Sequence, residues 1–364
     1  LGKSYNEISS ESRSMHKSQG FGSLKRRGSE KELFILTQGE KYDDNLMDGI
    51  DVTWNRLGEN NEIIEYINNL VDEYDPKKPY KTVNKLSILY EKVSKINDED
   101  WKKIKLNEIK NLIKACLGLF FESLSDVSIS SIGENIKVNF DAINRSPINI
   151  NLKQVSVFDE DFLIEKDLIN NEFFRFEKTI KIPESESFTE KYWLINKPNF
   201  GNYDVNHQKL IGNPDNNFPV ETNFIFTINN IEVSYTIPLL NKKNSPTKGD
   251  DYKIFNIGLP IYLNPKRYNE LVVNSNSQTI EVEVISGKEN LDATIYLDVP
   301  ENIKYEPKYF DLSFKDLNEK KIIKFDLTLP ESDSFKENII VKAKYNDEYY
   351  ERGIKEINYD HIIQ

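Results

Sequence analysis

The chain has 364 residues, enough for two or three domains, and 38% of them are hydrophobic, enough to close real cores. Acidic residues outnumber basic ones 60 to 48, so a net charge of −12 opposes nucleic acid and anionic membrane as partners through the bulk field. One cysteine, Cys116, excludes an intramolecular disulfide and a multi-cysteine zinc site, and no apolar run reaches the ~18 residues of a membrane span.

The first quarter reads as helices joined by polar loops. "YNEISSESRSMHKSQG" predicts a helix ending at Gly20, with His16 and Lys17 in its last turn. "ELFILT", Glu32 to Thr37, is a short apolar run with the look of a strand. "DDNLMDGIDVTWNRL" and "ENNEIIEYINNLVDEYD" have helical spacing, and Ile63, Ile64, Ile67, Leu70 and Val71 of the second share a face. "DPKKP", Asp75 to Pro79, breaks the pattern. A helical hairpin is expected next: "TVNKLSILYEKVSKI", a tight loop near Asn97 to Asp100, then "NDEDWKKIKLNEIKNLIKACLGLFFES". The acidic start of the second helix suits the positive end of its dipole. Its apolar stripe runs from Trp101 to Phe120 and includes Cys116, read as a buried structural thiol.

After about Ser125 the hydrophobic period changes from 3.6 to 2. "ENIKVNFDAIN", "FRFEKTIKI", "TNFIFTIN" and "IEVSYTIPL" alternate apolar and polar side chains, as half-buried antiparallel strands do. "NKKNSPTKGDDYK", Asn241 to Lys253, reads as a turn-rich linker. A second alternating set follows: "TIEVEVIS", "ATIYLDVP", "KIIKFDLTLP" and "NIIVKAKYN". The expected organisation is α+β and multidomain: residues 1–75, a helical hairpin at 76–124, and two antiparallel β-sandwiches at 125–258 and 259–364.

Signatures of chemistry are sparse. The three histidines, His16, His207 and His361, stand apart in sequence, and no G-x-S-x-G elbow or P-loop is present. The acidic clusters at Asp98–Asp100, Asp159–Asp161 and Asp250–Asp251 match no calcium loop and read as caps and solvated loops. His16 has two readings. It is a helix-end histidine that complements the dipole, or with Gln19 it lines a polar pocket to which Arg13, Lys17, Arg26 and Arg27 attract an anion. Tyr192 and Trp193, in "EKYWLINKP", either pack in a core or stack on sugar rings.

The segment "SRSMHKSQGFG" resembles the H-x-S-Q segment near the end of the catalytic domain of PIG-L/LmbE-type metal-dependent deacetylases. "RRGSEKELFILTQGE", "LMDGIDVTWNRLG", "INRSPINI", "FTEKYWL", "LIGNP" and "INYDHI" resemble large bacterial members in the same order, and the second β unit resembles the NEW-type β-sandwich modules of bacterial glycosidases. The resemblance implies a zinc-dependent amidase acting on an N-acetylated sugar or glycan, through metal-bound water and a carboxylate base. The family's zinc-binding His-Pro-Asp-Asp motif does not occur in this sequence. The chain is therefore expected to be the non-catalytic middle of such a protein. It would open with an α/β deacetylase remnant and end in two Ig-like or NEW-type sandwiches, with zinc in the intact parent and none here. His16, Ser18 and Gln19 match the H-x-S-Q segment and are assigned as substrate-side or structural, with Arg13 beside them; no catalytic residue carries over. The family's large members imply a periplasmic or extracellular place. The alternative is a glycan-binding or scaffold β-sandwich module with no enzymatic activity.

Overall fold

A computed structural model describes residues 2–39, 45, 48, 50, 51, 53–57, 61–246, 249–269, 272, 276–330, 336–357 and 359. The chain is mostly β-sheet, in several sheets, with few helices. It divides into two compact units, Leu1–Asn61 and Glu62–Gln364.

In the first unit, helix α1 (Tyr5–Ser14) starts at a capping box: the Ser4 hydroxyl accepts from the Glu7 amide, and the Glu7 carboxylate accepts from the Ser4 amide. The helix stops six residues before the predicted end. Ser14 turns its hydroxyl back onto the Ser10 carbonyl (2.7 Å), competing with the helical ladder, and only a 3-10 turn at Lys17–Gln19 follows before Gly20 takes φ 68°. The chain then lies back along α1. The Ser23 amide donates to Ser14 Oγ (3.1 Å), Ser10 Oγ donates to the Leu24 carbonyl (3.3 Å), and Arg27 pairs with Glu7 (3.1 Å). The predicted strand Glu32–Thr37 does not form, because no neighbouring strand offers it a ladder among the described residues. The predicted helix "DDNLMDGIDVTWNRL" falls largely outside the described residues; its Trp54–Leu57 end is a 3-10 turn.

Helix α2 (Asn61–Asp72) starts on the last residue of the first unit and runs into the second, where α3 (Val83–Val93) and α4 (Glu99–Leu117) follow, the last capped by Asp98, whose Oδ1 accepts from the Trp101 amide (2.8 Å). Val83, Leu86, Leu89 and Val93 of α3 and Ile109, Ile113 and Leu117 of α4 are buried. The long predicted helix does not run through "GLFFES". Gly118 takes φ 56°, a left-handed cap that ends the helix, and Phe120 opens strand β1 (Phe120–Ser125). Cys116 is half-buried on the last turn of α4, and desolvation raises its thiol pKa.

The strands continue with β2 (Ile129–Ser131), β3 (Asn135–Ile143), β4 (Ile150–Val157), β5 (Glu160–Asp167), β6 (Phe174–Lys181), β7 (Glu221–Ile228), β8 (Ile231–Ser245) and β9 (Gly249–Ile254). They pair in the order β5-β4-β7-β8-β1-β3-β6, with β9 also on β8. The β8 strand serves two neighbourhoods: its first half runs antiparallel to β7, then Leu239–Asn241 run parallel to β1 and Leu240–Ser245 pair with β9. The predicted linker at 241–253 is thus largely a strand pair. Its polar side chains hid it, since a solvated edge hairpin carries no apolar alternation. The Phe121 ring of β1 lies 5.0 Å from Phe224 and 5.1 Å from Phe226 of β7, and Phe140 of β3 lies 6.0 Å from Phe162 of β5, so the two sets of strands face each other across an aromatic core. Helix α4 docks on this body: Tyr235 Oη donates to the Lys110 carbonyl (2.8 Å) and Lys110 Nζ donates to the Ser234 carbonyl (3.0 Å).

The chain then forms β10 (Asn256–Gly258), parallel to β2, and β11 (Ile261–Pro265), β12 (Ser277–Ser286), β13 (Leu291–Asp298), β14 (Lys304–Glu306), β15 (Phe310–Phe314), β16 (Lys320–Thr328), β17 (Ile340–Tyr345) and β18 (Glu348–Tyr350). Two four-stranded sheets result, β11-β12-β16-β14 and β15-β13-β17-β18. Val282, Val284, Phe325, Ile295, Phe314 and Ala343 from both sheets share one core. No helix among the described residues is long and apolar enough to cross a membrane.

Candidate functional site

One side-chain hydrogen bond closes the H-x-S-Q segment on itself. His16 Nδ1 donates to Gln19 Oε1 (3.0 Å), and the imidazole ring lies 6.4 Å from Phe21. Arg13, His16, Ser18 and Gln19 are all exposed, on the turn that ends α1. The basic side chains nearby are engaged elsewhere: Lys25 pairs with Glu11 at 2.5 Å, Arg27 with Glu7 at 3.1 Å and Arg26 with Glu30 at 3.8 Å. The first two pairs hold residues 21–30 against α1. The two lysines on Glu11, Lys25 and Lys3, hold its carboxyl down at about 2.

Tyr192 and Trp193 sit at the root of the long connection between β6 and β7, residues 182–220. Their rings meet edge to face at 4.8 Å, and both are half-buried. The Tyr192 amide donates to Asn216 Oδ1 (2.8 Å), Tyr192 Oη donates to the Asn213 carbonyl (3.0 Å), and Lys191 pairs with Asp215 (2.5 Å). Asn216 Nδ2 donates to the Glu190 carbonyl, and Glu190 pairs with Arg352. Tyr192 therefore clamps the loop. His207 is exposed in the same loop and opens a 3-10 turn at Gln208–Leu210, while His361 lies outside the described residues.

Sequence reasoning missed a row of charges across the outer face of the first β body. Glu122 on β1 stands opposite Asp141 on β3, and Asp141 opposite Arg175 on β6. Arg175 grips Asp141 with Nε on Oδ1 and Nη2 on Oδ2, both at 2.6 Å, which raises the guanidinium pKa. Glu122 accepts from Lys242 Nζ (3.2 Å) and Tyr252 Oη (3.0 Å), and Lys242 also pairs with Asp250 (3.1 Å). The Tyr252 hydroxyl, then Asp250 and Glu122, raise the Lys242 pKa. Five strands supply this row from widely separated positions, so no local motif announces it. A shallow groove of about 530 Å³ lies on the other β body, lined by Asp292, Thr294, Asp311, Ser313, Lys344 and Asp347 among others. Four of its lining side chains pair with one another: Thr294 Oγ1 donates to Asp311 (2.6 Å), and Lys344 pairs with Asp347 (2.9 Å).

The described residues do not fit a zinc site: no three His, Cys, Asp or Glu side chains among them are placed to hold a metal ion.

No family model matches the chain. No curated protein matches it. Among solved structures, the secreted serine protease VesC from Vibrio cholerae is similar at 10% identity, over 67% of this chain and 54% of that one, with a TM-score of 0.22. A likeness of that size carries no argument about fold or activity.

Proposed function

We propose that this chain is the part of a PIG-L/LmbE-type deacetylase that lies outside its zinc-holding half. On this reading, residues 1–75 are the tail of the α/β deacetylase domain. The helical hairpin and two antiparallel sandwiches of Ig-like or NEW-like type form the accessory body behind it. One observation carries the reading. Leu33, Phe34, Ile35 and Leu36 are 90%, 62%, 88% and 43% exposed, in a segment with no strand partner among the described residues. Successive side chains of an extended strand point to opposite faces, so four consecutive apolar residues suit a strand buried on both faces, as in a helix-covered parallel sheet. Such a sheet is what a deacetylase domain would supply. The intact protein would hydrolyse the amide of an N-acetylated sugar with zinc held by residues this sequence does not contain. The His16–Gln19 pair would support the substrate side without a catalytic role, and export to the periplasm or beyond belongs to the same reading.

The test is to read the gene upstream of the Leu1 codon. An in-frame His-Pro-Asp-Asp segment, followed by zinc content and sugar deacetylation in the longer protein, is the expected result. A start codon adjoining Leu1 overturns the reading. A second reading, a glycan-binding or scaffold module without enzymatic activity, draws on the loop that carries Tyr192, Trp193 and the exposed Tyr203 away from the β core. Titration with soluble polysaccharides, followed by tryptophan fluorescence, separates it from the first.

A further inference from the structure

The β6–β7 connection is built in nested rungs. The outer rung is the clamp of Glu190, Lys191 and Tyr192 on Asn213, Asp215 and Asn216 described above. An inner rung is made by Asn196, whose Nδ2 donates to the Asp204 carbonyl and to Asn206 Oδ1, each at 3.1 Å. Beyond it the chain reverses in a tight turn: the amides and carbonyls of Asn199 and Asn202 exchange hydrogen bonds at 3.1 and 3.3 Å, and Gly201 takes φ 74°. A long loop tied in this way is a formed element, and loops of such length in compact domains are commonly functional.

What the rungs hold up is apolar. Phe200, at the apex of the turn, is 108% exposed, and Leu194, Ile195, Tyr203 and Ile211 are 44%, 54%, 56% and 56% exposed. All five lie beyond the outer rung. Charge separates this tip from the rest of the molecule. Between Trp193 and Gly212 the charged residues are Lys197, Lys209 and Asp204, a net of +1 in a chain of −12. The tip is thus a segment that an anionic or zwitterionic surface does not repel, and its two lysines can reach phosphates while their stems lie on apolar surface.

We propose that this tip docks on a phospholipid surface, with Phe200, Leu194, Ile195, Tyr203 and Ile211 entering the boundary between headgroups and acyl chains. Three of the five side chains are branched aliphatics, which a bilayer accepts and which give a sugar ring no flat face to stack on. The apolar groups crown a tight turn, a shape a fluid interface accommodates without a matching groove. Only part of each exposed side chain enters the boundary, so the binding constant should not exceed the ~10⁴ M⁻¹ of a single myristoyl chain, with half-binding at ~0.1 mM lipid or above.

The test is co-sedimentation of the whole chain with phosphatidylcholine vesicles at millimolar lipid, at low salt and at about 0.5 M salt, where surface electrostatics are screened. The bound fraction should rise with lipid and survive the high salt, because apolar insertion drives it. Phe200→Asp should weaken binding about tenfold or more and leave thermal unfolding unchanged, because the Phe200 ring is fully exposed; the double change Leu194→Ser with Ile195→Ser should weaken binding as much, at a small cost in thermal stability from the half of each side chain that is covered. No binding by the wild type at millimolar lipid overturns the proposal. So does wild-type binding by both variants, and so does a fluorescence response to soluble polysaccharide, abolished by Phe200→Asp, with none to vesicles.

Discussion

Asp141 is deeply buried and its partner is not: the Asp141 side chain is 1% exposed, while that of Arg175 is 50% exposed. The two halves of this pair therefore bear unequal risk. Removing the guanidinium strands a carboxylate that has already lost its water; removing the carboxylate leaves an arginine that water can serve. Arg175→Met, which keeps the cover over Asp141 but not the charge, should destabilise by about 2 kcal/mol, below the ~3–5 of a fully enclosed pair because half the guanidinium is solvated. Asp141→Asn should cost less, about 1 kcal/mol. Urea unfolding of both variants checks this, and equal penalties for the two changes would contradict the asymmetry. None of this could be read locally, since Glu122, Asp141 and Arg175 meet only through strand register.

Among the elements, those whose burial repeats along the chain were legible. β3 alternates buried Ile136, Val138 and Phe140 with more exposed Lys137 and Asn139, and that contrast is the period-2 signal itself. The β8–β9 hairpin and the helix-to-strand change at Gly118 were not legible, one for lack of apolar alternation and the other because Leu117 and Phe120 continue a helical spacing across a glycine cap. Glu32–Thr37 shows the converse, since strand propensity without a neighbour yields no strand. The fold-back along α1 was also hidden, because it rests on serine hydroxyls and ion pairs between α1 and residues 21–30. Glu11 makes that fold-back acid-sensitive. Its carboxyl sits at about 2 rather than 4.5, so the stabilisation is whole above pH 4.5 and is lost as the pH falls through about 2. The Ser23 amide, bonded to Ser14 Oγ, should shift toward its random-coil NMR position over that interval, and Glu11→Gln should weaken the fold-back at neutral pH. A Ser23 resonance unmoved down to pH 2 would mean that Lys3 and Lys25 do not hold the segment.

At the scale of the whole second unit, two β bodies that the sequence presents as consecutive domains are joined by backbone. β2 of the first pairs with β10 at the threshold of the second, and Ser131 Oγ donates to the Gly258 carbonyl (3.1 Å). Lys288 Nζ crosses to the Ile132 carbonyl (3.0 Å) and to Glu134 (3.3 Å), while the Ile257 amide donates to Thr189 Oγ1 (2.9 Å) at the start of the β6–β7 loop. Composition shows domains and turns but not such a joint, because its bonds link residues 68 to 156 positions apart. Gly287 is the point where it can be broken by one methyl group. A Cβ there would run into the Leu259 carbonyl oxygen, and the Gly287 amide already donates to the Pro260 carbonyl (2.8 Å), so neither backbone can swing aside. Gly287→Ala should therefore cost about 1–3 kcal/mol, the usual penalty of forced overpacking. The form of the loss is more telling than its size. With the joint intact, residues 62–364 should melt in one calorimetric transition. In Gly287→Ala the strain falls on the threshold between the bodies, so the transition should broaden or divide in two as their cores unfold separately. A variant that melts at a lower temperature but still in one sharp step would place Gly287 inside the second core rather than at the joint.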